Sequence, residues 1–217
     1  DLERRFLDTN GVRVVVDAKV VDKDVKLPEE RQTSAETLEA DTLEVLADLN
    51  HTSQKGLQTI FDSSVGRSTV NHPLGGRYQI TPTEASVQKL PVQHGVTTTA
   101  SVMAQGFNPY VAEWSPYHGA AYAVIEATAR LVAAGANWSK ARFSYQEYFE
   151  RMDKQAERFG QPVSALLGSI EAQIQLGLPS IGGKDSMSGT FEELTVPPTL
   201  VAFGVTTADS RKVLSPE

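Results

Sequence analysis

The 217-residue chain is 40% hydrophobic and 22% charged, with a formal net charge of -7 at pH 7. It is long enough to bury the core of one domain, and its acidic balance argues against general binding to nucleic acid or anionic membranes. The sequence has no cysteine, which excludes disulfides, thiolate metal sites and a cysteine nucleophile within it. No apolar run approaches the roughly 20 residues of a membrane span, so we expect a cytoplasmic protein.

The N-terminal quarter combines a strand-like segment with helical patterns. Residues 12–25, VRVVVDAKVVDKDV, are rich in β-branched residues and predict an extended strand. A polar linker follows, and leucines at helical spacing after Ser34 predict a helix, with a short second helix over 54–61. This region therefore looks like a bridge between two packed units.

The remaining chain mixes the two kinds of element. The pattern predicts a Gly-rich loop at 62–76, a strand at 95–103, helices at 120–136, 145–159 and 162–176, and a buried strand at 199–207. Strands and helices interleaved over roughly 170 residues indicate an α+β or α/β domain.

The densest group of small polar residues is PSIGGKDSMSGTF, residues 179–191. Its two glycines let backbone N–H groups approach a ligand, Lys184 can meet a phosphate, and the following carboxylate and hydroxyls suit a hard cation. The segment does not fit G-x-x-x-x-G-K-[ST], because Leu178 and Asp185 stand at two required positions. Nucleotide binding and a tight turn capped by Asp185 and Ser186 are both consistent with these residues.

A lone carboxylate, Glu126, lies within an Ala-rich helical stretch. A buried carboxylate must be paired, hydrogen-bonded or bound to a metal, so a metal role is one interpretation. The other is a carboxylate at the helix edge that faces solvent or Arg130, four residues on. The four histidines show no metal-binding spacing.

Two segments carry a family resemblance: GGKDSMSGTFEEL and LPVQHGVTTTASVMAQGFNPYVAEWSPYHGAAYAVIEA. Together they closely resemble the long, single-chain form of phosphoribosylformylglycinamidine synthase. The resemblance implies that residues 46–217 are the N-terminal half of the second aminoimidazole-ribonucleotide-synthetase-like repeat, an α+β domain with a mixed sheet packed against helices. Residues 1–45 would be the tail of the preceding repeat and a linker, which makes the chain a piece of a longer protein.

The resemblance also implies an activity, the ATP- and glutamine-dependent conversion of formylglycinamide ribonucleotide to its amidine in purine biosynthesis. The ligands implied are ATP or ADP and Mg²⁺, with Glu126 as a metal ligand and no catalytic residue in this chain. His94 and Arg130 stand where the family pattern leads us to expect an Asp and an Asn at the metal. The residues implied to bind nucleotide are Gly182, Gly183, Lys184, Asp185, Ser186, Ser188 and Lys55.

The resemblance finally implies partners: the first synthetase-like repeat and the glutaminase domain of the same full-length chain. Because the two repeats of the family pair through their sheets, we expect this chain by itself to form a homodimer. Two other interpretations stay open. One is a non-catalytic nucleotide-binding or scaffold module, and the other is another ATPase of the superfamily, against which the KDSMS run argues.

Overall fold

The computed structural model of the chain describes residues 2–4, 15–21, 32, 34–60 and 67–216. Within these ranges the chain forms a six-stranded sheet, two short hairpins and a layer of helices. The helices are α1 (Leu38–Ala47), α2 (Lys55–Gln58), α3 (Pro109–Trp114), α4 (Pro116–Ala133) and α5 (Ala156–Leu176). The strands are β1 (Thr69–Asn71), β2 (Leu74–Gly75), β3 (Thr81–Pro82), β4 (Ser86–Lys89), β5 (Thr99–Gly106), β6 (Arg142–Tyr148), β7 (Ser180–Lys184), β8 (Thr190–Phe191), β9 (Leu194–Thr195) and β10 (Thr199–Asp209).

The main sheet has the strand order β1-β4-β5-β10-β6-β7. Its neighbours are antiparallel except β6 and β7, which are parallel and are connected through α5. The long central strands β5 and β10 pair over eight residues. The α+β class with a mixed sheet packed against helices is therefore confirmed.

Helix α4 packs closely on one face of this sheet. It begins where Ser115 accepts a hydrogen bond from the His118 N–H and Pro116 occupies the first turn, which is why it starts before the predicted residue 120. A Cβ on Gly106 would overlap the Ala123 carbonyl, so only glycine lets β5 and the helix lie this near each other. Among the described residues, no helix is long and apolar enough to cross a bilayer.

The prediction of a helix over 145–159 is wrong for residues 145–155, and only 156–159 are helical. Residues 142–148 form β6, in which Phe143, Tyr145 and Glu147 are buried and alternate with more exposed positions, a period of two. The following helix, α5, runs unbroken from Ala156, so Pro162 lies inside it and does not start it. Tertiary burial of alternate side chains here outweighs the local helical signal.

The strand predicted over 12–25 is not present in its described part, residues 15–21. That segment crosses the start of α5 instead, where the Lys19 N–H donates to the Ala156 carbonyl at 2.8 Å and Lys19 Nζ lies 3.2 Å from Glu157 Oε1. The rest of this prediction falls on residues outside the described ranges. The helix after Ser34 is confirmed as α1, and the second short helix is confirmed as α2.

The contact between α4 and α5 predicts an unusual mutational effect at Gly168. Alanine favours a helix by about 1 kcal/mol over glycine, but a Cβ at this residue would overlap the Tyr117 carbonyl. We expect Gly168→Ala to lower the free energy of unfolding by about 1–3 kcal/mol in urea titrations. Gly56→Ala, a helical glycine with nothing within 4 Å of its Cβ, is the control and should not destabilise. A Gly168→Ala variant as stable as the parent would contradict the close crossing.

Candidate functional site

The Gly-Gly-Lys run forms the exposed edge strand β7 of the main sheet. Gly182 has φ of 142°, a conformation that residues with a side chain rarely adopt. A Cβ on Gly183 would come within 2.7 Å of the Tyr145 carbonyl oxygen, so this glycine allows β7 to lie against β6. Both glycines are thus required by the backbone conformation or packing, and β7 is an exposed strand at the edge of the sheet.

The segment after β7 continues along the end of β6 and is held there by backbone hydrogen bonds. The Ser186 N–H donates to the Glu147 carbonyl at 3.1 Å, and the Phe149 N–H donates to the Ser186 carbonyl at 2.9 Å. The Ser186 and Ser188 hydroxyls lie 3.0 Å apart on this anchored segment. The segment therefore presents two hydroxyls from a backbone that is held in place. Such an arrangement can bind an anion without a large rearrangement.

Lys184 supplies the positive charge of this region. Its side chain is exposed, and within the described ranges it makes no ion pair. A shallow cavity of about 450 Å³ lies on the face of the sheet away from α4, which we call the helix-free face. It is lined by residues 181–184 and by Phe203 of β10. The structure thus brings Gly182, Gly183 and Lys184 together beside an open surface, next to Asp185 and the two serines.

Glu147 is a buried acid beside this loop that the sequence analysis did not single out. Burial raises the pKa of its carboxyl to about 7, and the negative charge of Asp185 adds to the rise. Burial also raises the pKa of Tyr145, whose hydroxyl is buried without a hydrogen-bond partner in the described structure. The alternation in FSYQEYF is the signal that could have placed both residues on the buried face of a strand.

The other predicted residues lie in a second group beside β5. Glu126 Oε1 accepts a hydrogen bond from Arg130 Nη2 at 2.7 Å, and its Oε2 accepts from the Phe107 N–H at 2.8 Å. Arg130 Nε lies 3.5 Å from Glu84 Oε2. The four-residue pairing of Glu126 with Arg130, one of the two sequence interpretations, is therefore present in the structure.

A cavity of about 390 Å³ beside this group is lined by Glu84 and Arg130, by β4 and β5, and by the side chain of Gln58. Lys55 lines an adjoining cavity that also includes Gln58. Two strands separate β5 from β7, so this group lies about 14 Å from the loop, and one phosphate cannot contact both. Phe203 lines the cavities of both groups.

The metal site implied by the resemblance needs several ligands close together. His94 is exposed in the loop before β5. In the part of the chain that the structure describes, no three His, Asp or Glu side chains are grouped so that they could hold a metal ion. The metal role of Glu126 stays a prediction.

No protein-family model and no curated protein matches the chain, but solved structures do. A PurLQS structure from Thermotoga maritima matches with a TM-score of 0.66 at 17% identity, over 95% of this chain and 29% of that one. Thermotoga maritima PurL complexed with ADP matches with a TM-score of 0.65 at 17% identity over the same shares. Phosphoribosylformylglycinamidine synthase II from the same organism matches with a TM-score of 0.53 at 19% identity, over 92% of this chain and 29% of that one.

The chain thus spans less than a third of the length of these relatives. At such low identity the likeness establishes the fold and leaves the activity to other arguments. This chain has the fold of part of a phosphoribosylformylglycinamidine synthase chain, an aminoimidazole-ribonucleotide-synthetase-like domain.

Proposed function

We propose that this chain is a nucleotide-binding part of a phosphoribosylformylglycinamidine synthase. The observation that carries the proposal is the GGKDSMS run, which forms the end of the exposed edge strand β7 and the segment after it, in a fold shared with PurL chains solved with ADP and ATP. Residues 46–217 would be the synthetase-like domain, and residues 1–45 would connect it to a preceding repeat.

The proposed reaction joins ammonia to an amide carbon at the expense of ATP. Phosphorylation turns the amide oxygen of formylglycinamide ribonucleotide into a leaving group, and ammonia from glutamine then displaces it as phosphate. The glutaminase step of this family uses a cysteine, which this chain lacks, so ammonia would be made in another domain. Mg²⁺ would neutralise the phosphates of the nucleotide.

We assign the phosphate contacts to Lys184 and to the anchored segment that follows it. The ammonium and the Ser186 and Ser188 hydroxyls lie on one exposed edge, and each can contact a phosphate oxygen. Lys55, which the resemblance also implies to contact nucleotide, lies in the second group beside β5.

Calorimetric titration of the purified chain with ADP, AMP and inorganic phosphate tests nucleotide binding. If the loop binds a diphosphate, affinity should fall in the order ADP, AMP, phosphate, because AMP lacks one phosphate and its charge-assisted contacts, and inorganic phosphate also lacks the nucleoside. Heats equal to dilution for all three would refute nucleotide binding by this chain. Binding of ADP without turnover of formylglycinamide ribonucleotide, even in the full-length protein, would favour the alternative of a non-catalytic nucleotide-binding module.

We further propose that the helix-free face of the sheet is a pairing surface, for the sister repeat in a longer chain or for a second copy of this one. Met103 on β5 and Val205 on β10 are directly opposed in the sheet, and both are exposed. Phe203 and Val201 lie half-buried on the same face. Burying these apolar side chains against a second sheet would drive association.

Val205→Lys should break this pairing. A lysine ammonium inside a sheet-to-sheet contact loses its water without gaining a partner, so we expect the dimer dissociation constant to rise about 30-fold or more. Sedimentation velocity over a range of concentrations gives that constant. Val96→Lys, a change at a loop residue that is 92% exposed, is the control and should leave association unchanged. A parent chain that stays monomeric at every concentration would contradict the proposed homodimer.

A further inference from the structure

The guanidinium of Arg130 lies between two carboxylates at the edge of the cavity beside β5. It donates to Glu126 at 2.7 Å and lies 3.5 Å from Glu84. All three side chains are only partly exposed, at 32% for Glu126, 36% for Arg130 and 50% for Glu84. A single fixed cation therefore compensates two acids at this point of the fold.

Glu126 is poorly disposed to bind a divalent cation in this arrangement. One of its oxygens accepts from Arg130 and the other from the Phe107 N–H, so both already face donors. A Mg²⁺ ion requires several oxygen ligands in a near-octahedral shell, and it would also be repelled by the guanidinium at 2.7 Å from the same carboxylate. The residues present do not fit the metal that the resemblance implies.

The surrounding cavity has the polar lining of a ligand site. Gln58, Gln88, Gln105 and Asn71 all border it. Gln58 Oε1 is buried and has no hydrogen-bond partner in the described structure, and a buried acceptor of this kind is costly unless a ligand or water supplies a donor. Arg130 makes no hydrogen bond through Nη1 within the described residues, so that group can donate to an anion.

We propose that Arg130 takes the place of a divalent cation at this cavity, so that the charges of Glu84 and Glu126 are compensated there without a metal held by the protein. The remaining donors of the guanidinium can bind an anionic group of a ligand, separate from the phosphates assigned to Lys184. Lys55 in the adjoining cavity supplies a second positive charge. The metal that Arg130 replaces is the one that the resemblance implies, whereas the position of the guanidinium between two carboxylates is given by the geometry.

Removal of the guanidinium should create a metal site. Arg130→Gln leaves two uncompensated carboxylates and adds an amide oxygen, ligands that divalent cations accept. We expect electron paramagnetic resonance titration with Mn²⁺ alone to show a single bound equivalent in Arg130→Gln and none in the parent. The double variant Glu126→Gln/Arg130→Gln should lose that site, and Arg130→Lys, which keeps a cation, should not gain it.

Arg142→Gln is the matched control, because the Arg142 guanidinium bonds the backbone carbonyls of Lys140 and Ala141 and, among the described residues, no carboxylate. It should bind no Mn²⁺. Thermal melts confirm that each variant is folded. A parent chain that binds Mn²⁺ and loses it on Glu126→Gln would overturn the proposal, as would an Arg130→Gln chain that gains no site.

Discussion

Lys184→Ala is expected to weaken ADP binding by roughly 10- to 150-fold. A charge-assisted contact to phosphate is worth about 1.5–3 kcal/mol, which corresponds to that range of affinities. The structure supports the contact because the Lys184 ammonium is exposed at the end of β7, beside the Ser186 and Ser188 hydroxyls, and has no ion-pair partner in the described ranges. Calorimetric titration of the parent and the variant with ADP gives the two dissociation constants.

The same substitution should leave the fold intact, which separates binding from stability. Exposed side chains without specific contacts change the free energy of unfolding by no more than about 0.5 kcal/mol. Lys140→Ala is the matched control, because it removes an exposed lysine at the other end of β6. Lys140 lies just before β6 begins, whereas Lys184 is in register with Gln146 near the end of β6. We expect Lys140→Ala to bind ADP as the parent does. Equal affinity in Lys184→Ala and the parent would show that the loop does not contact phosphate.

Glu147→Gln is expected to stabilise the chain above pH 7, by up to about 3 kcal/mol. Burial and the charge of Asp185 raise the pKa of Glu147 from 4.5 to about 7, so the folded state binds a proton that the unfolded state releases between these values. The parent therefore loses stability as the pH rises from about 4.5 through 7, by at most about 1.4 kcal/mol for each pH unit in that window. Glutamine keeps the shape of the neutral acid and carries no charge, so the variant avoids this loss.

Urea titrations of the parent and of Glu147→Gln at a series of pH values measure this difference. The two chains should have similar free energies of unfolding below pH 4.5 and should diverge progressively up to about pH 7. Asp185→Asn should reduce the divergence, because it removes the second cause of the raised pKa. Glu193→Gln, a change at an exposed acid, should give no such pH-dependent difference. A difference between Glu147→Gln and the parent that is constant with pH would contradict the buried, protonated state of Glu147.

The sequence alone predicted an element correctly where the local pattern and the tertiary packing favour the same structure. The Ala-rich stretch forms α4 because small side chains suit close packing on a sheet, and the apolar run at 199–207 forms β10 at the centre of that sheet. The segment at 179–191 was singled out from its glycines, lysine and hydroxyls, but residues 180–184 form strand β7 and not a loop, and its binding of nucleotide stays a prediction.

The sequence misled where burial depends on distant partners. Residues 142–148 pair with β10 on one side and with β7 on the other, and neither partner is visible from the local pattern. The error concealed Glu147, because an acid on a supposed helix face suggests exposure, whereas on β6 it shares the buried face with Phe143 and Tyr145. Arg130 shows the reverse case: its spacing from Glu126 offered the ion pair as one of two interpretations, but only the structure adds Glu84 and the cavity.

Hydrogen–deuterium exchange of the chain with and without ADP tests the central claim most directly, because it locates the ligand on the backbone. We predict slower exchange with ADP at residues 182–188, where the exposed edge of β7 and the anchored segment would cover the phosphates. Backbone amides in the middle of α4, around Ala123, where the helix packs against β5, should exchange alike in both samples. ADP binding that leaves exchange at 182–188 unchanged would contradict the assignment of this loop as the phosphate site.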